Sequence, residues 1–351
     1  MAKKDGVTIK DVAKYARVSI AAASYALNGT GTISEETRQR VLKAAEELNY
    51  HPNAFARHLK KRKTHTIGVF ISGFGGLFFE QILDGIHAVA LETQYDLIVC
   101  PASRTISKIL TQRQVDGAIV FDTRIPSETL IRLASQRFPI VALDRFLKVD
   151  YLFPLLIDNV NGVREVMAHL VEQGARLVHF VSGAGDSFDN RERMLTFMEE
   201  ADKHQVQYRI YQGDFNEKSG YQAALQMIEN HDVPEAVFCA NDQMAIGLMK
   251  AFQAHGLRIP EDVGVVGFDD IVLAPFLNPP LSSVNMSRHL WGSKAARQLI
   301  DFLEEEKSIT MERMPTRLIV RRSSLLRSSS SQGEAQHESP ADYRTGTQRL
   351  D

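Results

Sequence analysis

Asp269 and Asp270 are adjacent carboxylates closing the apolar run VGVVGF at 263–268, and they invite a reading as an acid/base pair. Adjacent residues rarely share a task, and no acid or base partner can be identified for them. Nucleotide chemistry would need a glycine-rich phosphate loop. There is no G-x-x-x-x-G-K-[ST] and no G-x-G-x-x-G opening a helix, and Ser72-Gly73-Phe74-Gly75-Gly76 has the wrong spacing. No G-x-S-x-G elbow occurs. The 11 histidines are scattered without metal-ligand spacing. Cys100 and Cys239, the only cysteines, form no metal or redox motif and read as reduced core thiols, with a disulfide between them the lesser alternative. The reading is therefore of no enzyme: no catalytic residue, no metal site and no cofactor.

The groups that remain suit recognition. Ile20 and Ala21 could meet thymine methyls, and Tyr25 could bond to a base or a phosphate. Ser19 and Ser24 suit phosphate, a contact that positions without specifying. Arg, Asn and Gln, which read bases bidentately, are scarce on this surface. Further along, Arg57 and the run Lys60-Lys61-Arg62-Lys63 surround Leu59. Leu59 is a candidate wedge between base steps in the minor groove; the plainer alternative is a surface linker with an ordinary leucine.

Short helices must position these groups. Thr8 is a plausible cap for a first helix, with Asp11 three residues on, a short form of the capping box. Val12 and Ala16 would face inward, and Arg17 and Val18 would turn. Ser19 caps a second helix running to about Leu27, ended by Asn28-Gly29. Ser34 caps a third, with Val41, Leu42, Ala45 and Leu48 as its apolar stripe. Two short helices, a tight turn and a completing third helix make a helix-turn-helix, whose second helix enters the major groove. Ala22, Ala23 and Ala26 read as packing. A short hinge helix over 54–60 would be marginal alone and would fold against DNA or a second copy.

Charge supports the division. Residues 1–65 carry 13 Lys/Arg against 6 Asp/Glu, a net of +7, while the chain as a whole is at -2. A basic module on an acidic body fits phosphate-backbone binding. No apolar region follows the basic start Met1-Ala2-Lys3-Lys4, and no stretch reaches membrane-spanning length. The expectation is a cytoplasmic protein with no membrane partner.

The body alternates apolar strands with helical stretches. One series is 66–71, 97–100, 117–121 and 139–143; a second is 177–181, 207–210, 236–239 and 263–268. Such alternation argues for two α/β lobes built on parallel sheets, with a ligand between them near the carboxyl ends of the strands. The expected domains are a headpiece at 1–50, a hinge at 51–66, a two-lobed core at 67–322 and a serine-rich disordered tail at 323–351.

The headpiece resembles the lactose/galactose repressor (LacI/GalR) family signature: VTIKDVA from Val7, then VSIAAASYALN, the TR-x-x-V-x-x-A run, HPN and ARHL ending at Leu59. ANDQMAIG at 240–247 and GLRIPEDVGVVGFDD at 256–270 resemble the same family's effector core, which is similar to periplasmic sugar-binding proteins. The resemblance implies an all-α helix-turn-helix headpiece with a hinge helix, joined to a two-lobed periplasmic-binding-protein-like α/β core. It also implies a sequence-specific DNA-binding regulator, and a repressor of sugar uptake or catabolism genes as the first reading. Asn53, Arg57, Leu59 and Lys60 join Ser19, Ile20, Ala21, Ser24 and Tyr25 as the implied DNA-binding set, with Leu59 inserting at the operator centre. The implied effector-binding set is Phe74, Arg193, Phe215, Asn241 and Asp269. These types suit a sugar: polar groups bond hydroxyls while an aromatic face covers the apolar side of the ring. Each has a plainer alternative: a helix cap or loop-fixing role for Asn241 and Asp269, core packing for the aromatics, a surface ion pair for Arg193. Trp291 reads as packing.

Departures from the family pattern are Ala22-Ala23 for a threonine-valine pair, Tyr25 where several members have arginine, Thr196 for a glycine, and Gly76-Leu77-Phe78-Phe79 for N-P-F-F. The last makes the pocket entrance greasier, so a larger or less polar effector than a hexose is conceivable. The implied partners are double-stranded pseudo-palindromic operator DNA, a small sugar or sugar-derived effector, and a second copy in a homodimer. The alternative keeps the DNA-binding role under control of a purine-like ligand or a partner protein.

Overall fold

A computed structural model describes residues 7–29, 31–50, 63–74, 77–101, 106–305, 307 and 311–326. The chain divides into two compact units, Met1–Thr64 and His65–Asp351.

The first unit holds α1 (Ile9–Tyr15), α2 (Ile20–Asn28) and α3 (Glu35–Glu47). Asp11 Oδ2 accepts from the backbone N–H of Thr8 at 2.9 Å and from its hydroxyl at 2.7 Å, so the short carboxylate does close the start of α1. Arg17 takes the left-handed turn position at φ +53°, and Gly29 ends α2 at φ +66°. The core is small: Val12, Val41 and six alanines, including Ala23 and Ala26. Alanines let the helices approach closely but bury little apolar surface, at about 0.8 kcal/mol per CH2. Ile9, Val18, Leu27, Ile33, Leu48 and Tyr50 pack around this core, and Arg40 Nε donates to the Ala16 carbonyl at 3.0 Å. The expected stripe of α3 differs at one residue. Leu42 is exposed and Ala44 is buried in its place, because Val41, Ala44 and Ala45 share the face turned to the other helices.

In the second unit the first lobe comprises β1 (Thr66–Ile71), α4 (Phe79–Thr93), β2 (Asp96–Pro101), α5 (Lys108–Thr111), β3 (Gly117–Phe121), α6 (Ser127–Leu133), β4 (Ile140–Ala142) and β5 (Leu152–Ile157). The second follows with α7 (Asn159–Glu172), β6 (Val178–Ser182), α8 (Phe188–Lys203), β7 (Ile210–Gln212), α9 (Glu217–Glu229), β8 (Ala236–Cys239), α10 (Asp242–Ala254), β9 (Gly264–Asp269) and β10 (Ser282–Met286). Then α11 (Arg288–Glu305) and β11 (Glu312–Met314) return to the first lobe, and β12 (Thr316–Ile319) ends in the second. The first sheet runs β11-β5-β4-β3-β1-β2, all parallel. The second runs β12-β10-β9-β8-β6-β7, parallel except for β12. Buried strands with both faces covered explain the unbroken apolar runs.

Helices α4 and α11 cross at glycines. A Cβ at Gly85 would lie 2.0 Å from the His289 carbonyl oxygen, and one at Gly292 2.0 Å from that of Ile82. Trp291, on the same helix, is fully buried, donates Nε1–H to the Leu155 carbonyl at 2.9 Å and meets Phe121 edge-on. It packs, as expected. Cys100 and Cys239 are free thiols on strands of different sheets.

Two boundaries differ from expectation. The strand expected at 207–210 is Ile210–Gln212. The first residues of the tail expected from Ser323 are ordered instead: Ser323 and Ser324 are buried in a 3-10 turn. Ser323 Oγ donates to the Val265 carbonyl at 2.6 Å and accepts from Ser282 N–H at 2.8 Å. The serines look like tail composition but bond to the interior strands β9 and β10 of the second sheet. Residues 327–351 lie outside the described residues. Among the described residues no helix is long and apolar enough to cross a membrane.

Candidate functional site

In the headpiece α2 separates two faces. Ala23 and Ala26 point into the core, while Ser19, Ile20, Ala21 and Tyr25 are exposed and Ser24 is half-buried. Ser19 Oγ accepts from Ala22 N–H at 3.1 Å, so the serine caps the helix and keeps its own hydroxyl proton for another acceptor. Ser24 Oγ accepts from Asn28 Nδ2 at 3.2 Å, again leaving a donor. The exposed face thus offers two apolar contacts, one phenol and two hydroxyl donors. Asn53, Arg57, Leu59 and Lys60 lie outside the described residues.

In the second unit a cavity of about 470 Å³ opens where strands of both lobes end. The first lobe supplies Phe78, Phe79 and Phe121, whose rings lie 5.3–5.5 Å apart, together with Asp144 just beyond β4. The second lobe supplies Asp189 and Arg193 from α8, Phe215 after β7, Asn241 after β8 and Asp269 at the end of β9. This is the expected place for a ligand in parallel α/β sheets.

Arg193 is held from several sides. Its Nε donates to Asn159 Oδ1 at 2.8 Å, its Nη1 donates to the Ala240 carbonyl at 2.5 Å, and its guanidinium lies 3.6 Å over the Phe268 ring. Asn159 in turn donates Nδ2–H to Asp189 Oδ1 at 2.8 Å. Asp269 Oδ1 lies 3.8 Å from Arg193 Nη1, at a residue with φ +108°, a backbone state that L side chains rarely adopt. Burial pushes the Asp269 carboxyl up to about 7, against the opposing charges of Arg193 and Arg288 and with Asp189 adding to the rise. Burial also raises Asp189, opposed first by Arg193, and Asp144, opposed by Arg145. Arg145 lies behind Asp144, reaching both of its oxygens at 2.9 and 3.0 Å and the carbonyls of Ile125 and Asp122. Among the described residues the wall therefore presents four carboxylates, with Asp186, and one guanidinium.

Residues 8–53 match the bacterial regulatory proteins of the lacI family, and residues 167–324 match a periplasmic binding protein-like domain. The HTH-type transcriptional repressor PurR of Vibrio atlanticus is 32% identical over 309 residues, 85% of this chain and 92% of that protein. The ribose operon repressor of Halalkalibacterium halodurans is 33% identical over 322 residues, 90% of this chain and 96% of that protein. The chain belongs to the LacI family. A crystal structure of the lac repressor dimer bound to operator and an anti-inducer superimposes with a TM-score of 0.78 at 27% identity, covering 92% of this chain and all of that one. The helix-turn-helix headpiece and the two-sheet core of this LacI-family repressor are thus the architecture the signature implied.

Of the five effector residues expected for a LacI-family core, four converge on the cavity: Arg193, Phe215, Asn241 and Asp269. Asn241 also caps α10, accepting from Met244 N–H at 3.0 Å, and donates to the Phe215 carbonyl at 3.0 Å, so its two readings coexist. Phe74 does not join them. It is 65% exposed and outside the cavity wall, whose first-lobe aromatics are Phe78, Phe79 and Phe121. Asp270 points away from Asp269 and pairs with Arg321 at 2.7 Å, which dissolves the apparent carboxylate pair. Sequence reasoning missed Asp144 and Asp189. Asp144 carries the same signal as Asp269, an acid directly after an apolar strand run; Asp189 has no such mark, since it sits in the first turn of a helix where acids are common.

Proposed function

We propose that this chain represses transcription as a homodimer on a pseudo-palindromic operator, and that a neutral, hydroxyl-rich ligand of the sugar class controls its affinity for that DNA. The carrying observation is the charge and shape of the cavity among the described residues: carboxylates from both lobes, the internally bonded Arg193 guanidinium, and aromatic rings. Carboxylates are acceptors and call for a ligand rich in donors; ring faces cover its apolar side. Among the described residues, a phosphate or carboxylate on the ligand would face like charge with the free edge of Arg193 to offset it. The similar repressor named for the ribose operon agrees with this class. A planar purine-like ring is the second reading, favoured by the Phe78, Phe79 and Phe121 cluster opposite Phe215.

In this reading Ile20, Ala21 and Tyr25 read the major groove, Ser19 and Ser24 touch phosphate, and Leu59 with Asn53, Arg57 and Lys60 engages the operator centre. The protein works in the cytoplasm, and ligand binding shifts the two lobes and, through the hinge, the spacing of the headpieces. Calorimetric titration of the purified chain with ribose, hexoses, their phosphate esters and purine bases tests the ligand class. Neutral sugars bind and phosphate esters do not. Binding of purines or phosphate esters without any neutral sugar would overturn it.

A further inference from the structure

Gly31 lies between α2 and α3 with φ +76°. A Cβ built on it would sit 2.7 Å from Tyr25 Cγ and 2.9 Å from each Tyr25 Cδ atom. Equal distances to the two Cδ atoms place that position over the face of the ring, close to its root. The bare backbone of Gly31 is therefore seated where any side chain would strike the phenol. The far end of a flexible side chain can swing aside cheaply, but the root of an aromatic ring moves only by rotating about χ1, out of its staggered well. Gly29 is an internal contrast: it has a similar left-handed φ of +66°, yet a Cβ there would meet nothing within 4 Å.

Tyr25 itself is 43% exposed on the outer face of α2. Its helix fixes one end of the side chain; Gly31 blocks one side of the ring. We propose that Gly31 is a specificity-positioning residue, whose backbone holds the Tyr25 ring in the one orientation from which it presents its edge and hydroxyl to DNA. This rests on the reading of Tyr25 as a base-contacting residue. On a surface short of bidentate readers, the direction of a single phenol decides a larger share of base preference than it would beside an arginine.

The test uses the full chain and a randomised double-stranded DNA library, with bound sequences counted to give base preference at each position. Tyr25→Ala removes preference at one symmetric pair of positions. Gly31→Ala changes preference at that same pair by about tenfold, the order of a good single base contact, and leaves the other positions alone. Gly29→Ala carries the same left-handed strain without the ring and lowers affinity uniformly across sequences. Adding Gly31→Ala to Tyr25→Ala produces no further change in preference, since the residue acts through the ring. Should Gly31→Ala lower headpiece stability, Tyr25→Ala in the same chain restores it to the level of Gly29→Ala. A Gly31→Ala profile indistinguishable from that of Gly29→Ala, or failure of that restoration, overturns the proposal. An unchanged profile for Tyr25→Ala overturns instead the base-reading role on which it rests.

Discussion

Asp269 is 4% exposed, held at φ +108° and shares one guanidinium with Asp189, so its ionised form is costly until a ligand supplies donors. The carboxyl pushed up to about 7 gives a direction for ligand affinity. A polyol bonds best to an ionised carboxylate, and below pH 7 the free protein must first lose a proton there. Affinity for a neutral sugar therefore rises from pH 6 to 8, approaching about tenfold per unit on the acid side, and levels off above. Asp269→Asn flattens that profile; calorimetry at pH 6, 7 and 8 on both chains measures it, and an unchanged slope in the variant sinks the assignment. For the fold the sign is opposite. The carboxyl sits above its unfolded value, so stability is greatest where it is protonated and declines as pH rises from about 4 to 7. Asn241, Arg193 and Asp269 were legible from motifs. Asp189 was not, because only the tertiary fold turns one acid among many toward the cavity. Phe74 shares an aromatic run with Phe78 and Phe79, yet only the latter two line the cavity.

At the scale of elements, strands with unbroken apolar runs were legible and β5 was not. Pro154 interrupts its run, and proline argues against a central strand. The structure tolerates it because β11 pairs β5 only from Leu155 onward, leaving β4 as the one neighbour at Pro154. A second feature invisible to spacing is the polar lock on the edge strand β7. Asp232 Oδ2 accepts from Tyr211 OH at 2.5 Å and Arg209 Nη1 at 2.8 Å, and lies 3.1 Å from Nε2 of the fully buried His179. The backbone N–H of Arg209 donates to His179 Nδ1 at 3.2 Å, which requires that nitrogen to be unprotonated. Burial lowers His179 below the usual histidine value despite the pull of Asp232. The folded state thus prefers neutral imidazole, and stability falls as pH drops below about 6.5 toward the depressed folded value. His179→Phe fills the site without a titrating group and removes that loss. Urea denaturation at pH 7 and 5.5 checks it: the wild-type chain loses more stability between the two than the variant. Equal losses would assign the acid sensitivity elsewhere.

At the scale of the molecule, the two series of strands announced two lobes, but nothing in the spacing announced that α11 and β11 return to the first. Three crossings join the lobes, after β5, after β10 and between β11 and β12. The cavity takes Asp144 and Phe121 from one lobe and Asp189, Arg193 and Asp269 from the other. A ligand that bonds both sides favours one inter-lobe geometry by the difference in its contacts, and no more than that difference reaches the DNA. Linkage then fixes a reciprocity. Whatever factor the ligand imposes on operator affinity, saturating operator imposes on ligand affinity, commonly about 5–150-fold. Asp144→Asn weakens the first-lobe end of the bridge while leaving the second-lobe groups in place. We expect the variant still to bind the sugar, more weakly, and the factor measured from the DNA side and from the ligand side to shrink together. Fluorescence anisotropy of labelled operator with and without sugar gives one factor, and calorimetry with and without operator the other. Loss of ligand affinity with the coupling factor unchanged would mean that Asp144 binds without bridging, and that the lobes respond to second-lobe contacts alone.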